Sequence, residues 1–164
     1  MTEISWFAAL PKEVVVFCMA MLPILELRGA IPWGLKFAPS LPHMTVYLFA
    51  VLGNFVPVIP ILLFLQPVSE YLRKVRVFDK FFTWLFARTR KRGKLIERYE
   101  AIGLTLFVAI PLPVTGAWTG ALAAFVFGIR LRWAAICISI GILIAGVIVT
   151  LASKGVITIW HLAT

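Results

Sequence analysis

Two proline-broken stretches interrupt an otherwise apolar chain and restrict what it can fold into. The first is Pro23-Ile24-Leu25-Glu26-Leu27-Arg28-Gly29-Ala30-Ile31-Pro32, and the second is Pro111-Leu112-Pro113-Val114-Thr115-Gly116-Ala117-Trp118-Thr119-Gly120. Proline removes a backbone donor and clashes with the preceding turn, so neither stretch continues as an undisturbed helix. Each break falls near the middle of a hydrophobic stretch and is followed by one clean run of membrane length. Hydrophobic segments interrupted at corresponding points of two halves are the sequence pattern of a transporter with its site near the bilayer midplane. Movement of a substrate across or within a membrane is therefore the expected class of function.

Composition sets the solvent. Hydrophobic residues make up 62% of the 164 positions and charged residues 14%, with a mean hydropathy of +0.99. A soluble domain of this size cannot bury so much apolar surface, so the chain reads as an all-α integral membrane protein. No series of short alternating strands suggests a barrel. No cleavable signal peptide is expected, because the N-terminus lacks a basic region ahead of its apolar run. Cys18 and Cys137 sit inside apolar segments and read as packing residues, with no second ligand at metal-binding spacing.

Uncharged runs delimit the elements. Residues 14–25 lie between Glu13 and Glu26 and are too short to span. Residues 37–69 are uncharged, and after Pro39 and Pro42 they leave a transmembrane helix over 44–66. Residues 101–129 are uncharged but cut by Pro111 and Pro113. Residues 133–153 form the second clean span, with Gly141 and Gly146 as small-residue packing points.

The broken stretches admit two topologies. They can be kinked full spans, giving four crossings, or re-entrant hairpins over 13–36 and 101–129 that enter to mid-depth and return. At 1.5 Å per residue, 101–110 makes about 15 Å of helix, half of a hydrocarbon core of about 30 Å. Charge placement favours the hairpins under the positive-inside rule. Ten of the sixteen Lys and Arg residues fall between Arg73 and Arg98, which puts residues 70–100 in the cytoplasm. With hairpins, Arg130 and Arg132 join them, while Lys12, Lys36 and Lys154 stay outside. With four crossings, Arg130 and Arg132 move outside, and Lys12 and Lys154 return to the cytoplasm.

The halves are also alike. Gly29-Ala30 and Gly116-Ala117 align at an offset of 87 residues, with prolines upstream in each. Repeat 1 (1–67) and repeat 2 (101–153) are then each one hairpin plus one span, and an odd number of crossings inverts the second copy. Between them, over 68–100, Leu72, Val75, Phe78, Phe82 and Leu85 recur at helical spacing, with Arg73, Arg76, Lys80 and Arg88 largely off that stripe. This predicts a basic amphipathic helix on the cytoplasmic interface. Arg88, Arg90, Lys91, Arg92 and Lys94 suit anionic lipid headgroups, and the equal alternative is a solvated topology signal.

Glu26 and Arg28 are the only charged residues between Glu13 and Lys36. A charge at the bilayer centre costs about 2.5–3.5 kcal/mol on insertion scales, so burial there requires pairing, water or a ligand. Glu26 can exchange a proton. Arg28 cannot, but its planar fork suits phosphate or carboxylate. The structural alternative is a permanent ion pair that holds the hairpin tip. Gly29 and Pro32 share this stretch and are assigned to the same substrate or ion site. In the second hairpin, Thr115, Trp118 and Thr119 carry the polar handles, and Gly116 and Gly120 allow backbone amides to approach a ligand. A half-helix starting after Pro113 points its positive end at the site, which favours an anion. Ordinary helix packing is the alternative there. Asn54 is a lone amide in the first span, available to a neighbouring helix or to substrate. No nucleophile–base–acid set, phosphate-cradling loop or metal motif is present, so no enzyme activity, cofactor or metal is expected.

The Glu26-to-Pro32 stretch (Glu-Leu-Arg-Gly-Ala-Ile-Pro) and the Pro111-to-Gly120 stretch resemble the small multidrug export protein family over nearly the whole chain. That family is itself similar to the DedA superfamily of bacterial membrane proteins. The resemblance implies paired re-entrant hairpins each followed by a transmembrane helix, a dimeric assembly, and transport. Through DedA it also implies proton-dependent processes and recycling of undecaprenyl phosphate, the lipid carrier of cell-wall precursors. DedA proteins carry an arginine in the second hairpin. Here Pro111-Leu112-Pro113-Val114-Thr115-Gly116 is uncharged, so Arg28 would supply the cation alone.

The leading expectation is an ion- or proton-coupled secondary transporter of the bacterial or archaeal cytoplasmic membrane that translocates an anionic lipid such as a polyprenyl phosphate. Arg28 and the second half-helix would grip the phosphate, and Glu26 would carry the coupling proton. One alternative is a proton-coupled exporter of cationic or amphipathic drugs, with Glu26 as the shared site. Another is a non-transporting membrane scaffold. Expected partners are membrane lipids, protons or another coupling ion, and further copies of the chain in a homodimer or higher homo-oligomer. No nucleic acid is expected, because apolar spans flank the basic run on both sides.

Overall fold

The computed structural model describes residues 10–72, 94–112 and 115–163, and every regular element among them is a helix. The elements are α1 (Lys12–Met21), α2 (Glu26–Phe37), α3 (His43–Leu72), α4 (Lys94–Ala109), α5 (Ala117–Val126) and α6 (Leu131–Ala163). Two of them contain windows long and apolar enough to cross a bilayer, His43–Phe64 and Leu131–Ile159, with mean hydropathies of 2.2 and 2.7. The outward sides of these helices stay apolar: Leu48, Leu52 and Val56 on α3 and Leu143, Val147 and Leu151 on α6 are exposed. Rows of exposed aliphatic residues this long suit hydrocarbon rather than water.

The helices fall into two compact units, residues 1–56 with 143–164, and residues 57–142. In the first unit, α1 and α2 form a helical hairpin. Helix α1 starts on the Pro11 carbonyl, which accepts from the Val14 and Val15 amides at 3.0 and 3.2 Å. It ends at Leu22, whose extended backbone (ψ 136°) is what a residue preceding proline adopts. The chain reverses over Pro23–Leu25 and re-enters helix at Glu26, whose amide donates to Leu22 O at 2.9 Å. At the far end the Lys12 ammonium donates to Phe37 O at 3.0 Å, which ties the start of α1 to the end of α2. The two arms therefore run antiparallel, and with 10 and 12 residues each is only about 15–18 Å long.

Glycines set how closely the helices of this unit approach. A Cβ on Gly34 would lie 2.6 Å from Val46 Cγ1 and 3.0 Å from Val16 Cγ2, so α1, α2 and α3 meet at that point. A Cβ on Gly53 would lie 2.3 Å from Phe17 O, placing α3 directly against the α1 backbone. Val16, Ala20, Leu27, Ile31, Val46 and Ala50 close the core around them. The C-terminal part of α6 joins through Tyr47, whose hydroxyl donates to Leu143 O at 3.2 Å.

The second unit holds the second break. Helix α4 begins at Lys94, ahead of the start at 101 expected from the charge pattern. Charged residues at a helix end do not oppose helix formation, and Lys, Glu and Arg are good helix formers. Its partner α5 packs back on it at Gly120, where a Cβ would sit 2.5 Å from Val108 Cγ2. The N-terminal part of α6 reaches the same residue: a Cβ on Gly141 would lie 2.7 Å from Val108 Cβ. Helix α5 closes with Gly128 in the left-handed region (φ 70°), and the Ile129 amide bonds Ala124 O at 2.9 Å, the six-to-one bond of a Schellman cap. Helices α3 and α6 extend past the expected limits of 44–66 and 133–153, α6 running through Lys154 to Ala163. The predicted amphipathic helix falls mainly on residues 73–93, which lie outside the described residues.

Two glycine substitutions test this packing in opposite directions. Gly53→Ala forces a Cβ onto a backbone oxygen and is expected to cost about 1–3 kcal/mol, as overpacking does. Gly155→Ala meets nothing within 4 Å and is expected to add about 0.5–1 kcal/mol, the helix-interior gain of Ala over Gly. Thermal unfolding of the detergent-purified protein checks both, and equal shifts would contradict the α1–α3 contact.

Candidate functional site

The first break places a carboxylate where apolar packing dominates. Glu26 opens α2 and is 6% exposed, and Glu26 and Asn54 are the buried polar or charged residues among those described. Its backbone is left-handed (φ 47°), the sole non-glycine residue with positive φ among the described residues. For an L-residue that conformation costs roughly 1–2 kcal/mol, and strain of this kind persists where the surroundings fix it. The turn around it is apolar and open: Leu22, Ile24 and Leu25 are exposed, Ile24 by 93%. A buried acid thus stands beside an apolar tip.

Arg28 lies half-buried on the same first turn of α2, close enough for the Glu26 charge to act on its guanidinium. The two charges compensate each other, so the tip is close to neutral as a whole. Glu26 also occupies the first turn, where the positive end of the helix dipole favours an anion. Gly29 is half-buried beneath Leu25, with its virtual Cβ 3.0 Å from Leu25 Cδ2. Pro32 sits one turn further on, lining a groove with Lys36 rather than the break. Asn54 is 1% exposed on the buried side of α3. Its Oδ1 has no hydrogen-bond partner among the described residues, which is costly for an amide.

The residues assigned to the second break belong to the other unit. The Thr115 hydroxyl serves the local backbone: it donates to Ile110 O at 3.0 Å and Leu112 O at 2.9 Å, so one proton is shared between two carbonyls at the break. Thr119 likewise donates to a local carbonyl, Gly116 O at 3.3 Å. These are local side-chain-to-backbone bonds that satisfy a helix interruption. Gly116, buried, precedes α5 with an extended backbone. Trp118 is half-buried, with its indole Nε1 beneath the surface. Pro113 lies outside the described residues, as do Arg88, Arg90, Lys91 and Arg92; Lys94 is the first residue of α4.

Sequence reasoning located the buried acid but not its backbone conformation, since Glu carries no left-handed preference. It also missed that the Thr115 hydroxyl bonds local backbone carbonyls, for which the signal was available: a hydroxyl two residues after a proline is well placed to do so. The left-handed site has a direct check. Glu26→Gly and Glu26→Ala both remove the carboxylate, but only glycine relieves the backbone, so the glycine variant is expected to be about 1–2 kcal/mol more stable. Chemical unfolding of the two variants in the same detergent measures the difference.

A family model described as "Putative small multi-drug export protein" matches residues 26–148, starting at Glu26 itself. No curated protein and no solved structure matches the chain. The match covers the second break, the first break from Glu26 onward and most of the two long apolar helices, and the chain is a membrane protein that belongs to the small multi-drug export protein family.

Proposed function

We propose that this protein exports small amphipathic cations in exchange for protons, with Glu26 as the site that both compete for. The observation that carries the reading is a carboxylate 6% exposed and held in a left-handed backbone at the break of an apolar hairpin. In the ionised state, Glu26 is compensated by Arg28, and an incoming cation competes with that guanidinium for the carboxylate oxygens. Protonation cancels the negative charge and leaves Arg28 to repel the cargo. A proton taken up outside thus drives release, and the same proton leaves to the cytoplasm when the next cation binds. The anionic-lipid alternative has less support. Glu26 beside Arg28 opposes an anion, and the hydroxyls of Thr115 and Thr119 are engaged by backbone carbonyls.

In this reading the two hairpins are re-entrant and belong to inverted repeats. Support comes from the Lys12–Phe37 bond, which holds the two ends of the first hairpin together. Residues 70–100 face the cytoplasm of a bacterial or archaeal cell, and the chain works as a homodimer, since two spans and two hairpins enclose too little pathway alone. The likeness to DedA proteins rests on the sequence motifs. For topology, Lys12→Cys and Lys36→Cys in a background without Cys18 and Cys137 are expected to react with an impermeant thiol reagent from the same, outer side. Labelling from opposite sides would return the four-crossing arrangement.

Transport itself is tested in proteoliposomes with an imposed proton gradient and ethidium or tetraphenylphosphonium as cargo. Wild type is expected to show cargo-stimulated proton flux, and Glu26→Gln is expected to fall to the protein-free background. Export by Glu26→Gln at the wild-type rate would overturn the reading. Flux stimulated by a short-chain polyprenyl phosphate and not by either cation would restore the anionic-lipid alternative.

A further inference from the structure

Away from the break, the first unit carries a groove of about 340 Å³ between α2 and the C-terminal part of α6. Its lining is Pro32 and Lys36 of α2 with Ala152, Ser153, Val156 and Ile157 of α6. That volume is at the lower end of the roughly 300–1,000 Å³ typical of ligand sites. Apart from the Lys36 ammonium and the Ser153 hydroxyl, the walls are hydrocarbon, so the groove suits an alkyl chain with a polar end.

The charge around the groove selects the polar end. Lys36 stands in the last turn of α2, its Nζ 5.4 Å from the Phe37 ring centroid. Lys12 is fixed at the same place by its bond to Phe37 O, and Lys154 follows Ser153 and is exposed. Among the described residues Glu13 stands against these three cations, while α6 contains no acidic residue. Glu26 opens α2, about 15 Å along the helix axis from Lys36. On α6, Ser153 lies about 33 Å from Leu131 at 1.5 Å per residue, close to one hydrocarbon thickness. In the topology proposed above, which puts Arg130 and Arg132 in the cytoplasm, Ser153 comes to the outer surface and the groove runs from there into the hydrocarbon.

We propose that this groove is a binding site for an anionic phospholipid, with an acyl chain against Pro32, Val156 and Ile157 and the phosphate on the Lys36 ammonium. A zwitterionic lipid satisfies the apolar walls but brings no net negative charge to the three lysines. The same lysines exclude an amphipathic cation, so the groove is separate from the proposed cargo site. A lipid seated here bridges α2 to α6 and so braces the arm that carries Glu26.

The test uses the full-length, delipidated protein in detergent and native mass spectrometry with phosphatidylglycerol and phosphatidylcholine of identical chains. Wild type is expected to retain phosphatidylglycerol about five-fold better, the equivalent of the roughly 1 kcal/mol that one Lys contributes towards anionic lipid. Lys36→Gln is expected to erase the preference, and Ala152→Trp, which fills the groove and keeps the charge, to reduce retention of both lipids. Lys36 is exposed, so its variant leaves the core intact. Equal retention of both lipids by wild type would overturn the proposal. So would a preference that survives Lys36→Gln, or retention unaffected by Ala152→Trp.

Discussion

Hydrocarbon offers no hydrogen bonds, so a helix broken inside a membrane has to satisfy its own freed amides and carbonyls. Both breaks in this chain meet that demand with nearby groups. At the first, the Glu26 amide returns to Leu22 O across the proline turn. At the second, the Thr115 hydroxyl is shared between Ile110 O and Leu112 O. Close packing of the arms follows: Gly34 and Gly53 admit neighbouring helices in the first unit, and Gly120 and Gly141 do so in the second. A break stabilised in this way holds a carboxylate at the first site and leaves the second without a charge.

The parts of this fold legible in the sequence are those set by proline and by uncharged length. Pro23 and Pro111 marked the breaks, and the runs after Pro42 and Arg132 marked the long helices. Boundaries set by charge were less reliable: Lys94 to Glu100 reads as a linker but folds as the start of α4, because charged long side chains are good helix formers. The buried acid was legible as a residue and less so in its geometry. Glu26 stood out as a lone acid in an apolar stretch, yet nothing in that pattern implies a left-handed backbone. Thr115 carried the right polar group, but it serves the backbone. The groove beside Lys36 depends on α2 meeting residues of α6 that are remote in sequence, and periodicity does not report that contact.

The two ionisable residues at the first break divide the work by chemistry. Glu26 can be neutralised by a proton or a cation, and Arg28 stays charged throughout. In the proposed exchange, a permanent cation beside a switchable anion would give the site two states of opposite preference for a cationic cargo. That contrast distinguishes an exchange site from a structural ion pair, in which neither charge changes. The distinction lies in whether cargo binding moves a proton.

The most direct measurement is therefore proton release on cargo binding, by calorimetric titration of the purified protein with ethidium in buffers of different ionisation enthalpy. At a pH where Glu26 is partly protonated, binding should release protons in wild type and none in Glu26→Gln. Cargo binding with no buffer dependence, or the same release in both proteins, would contradict the assignment of Glu26 as the shared site.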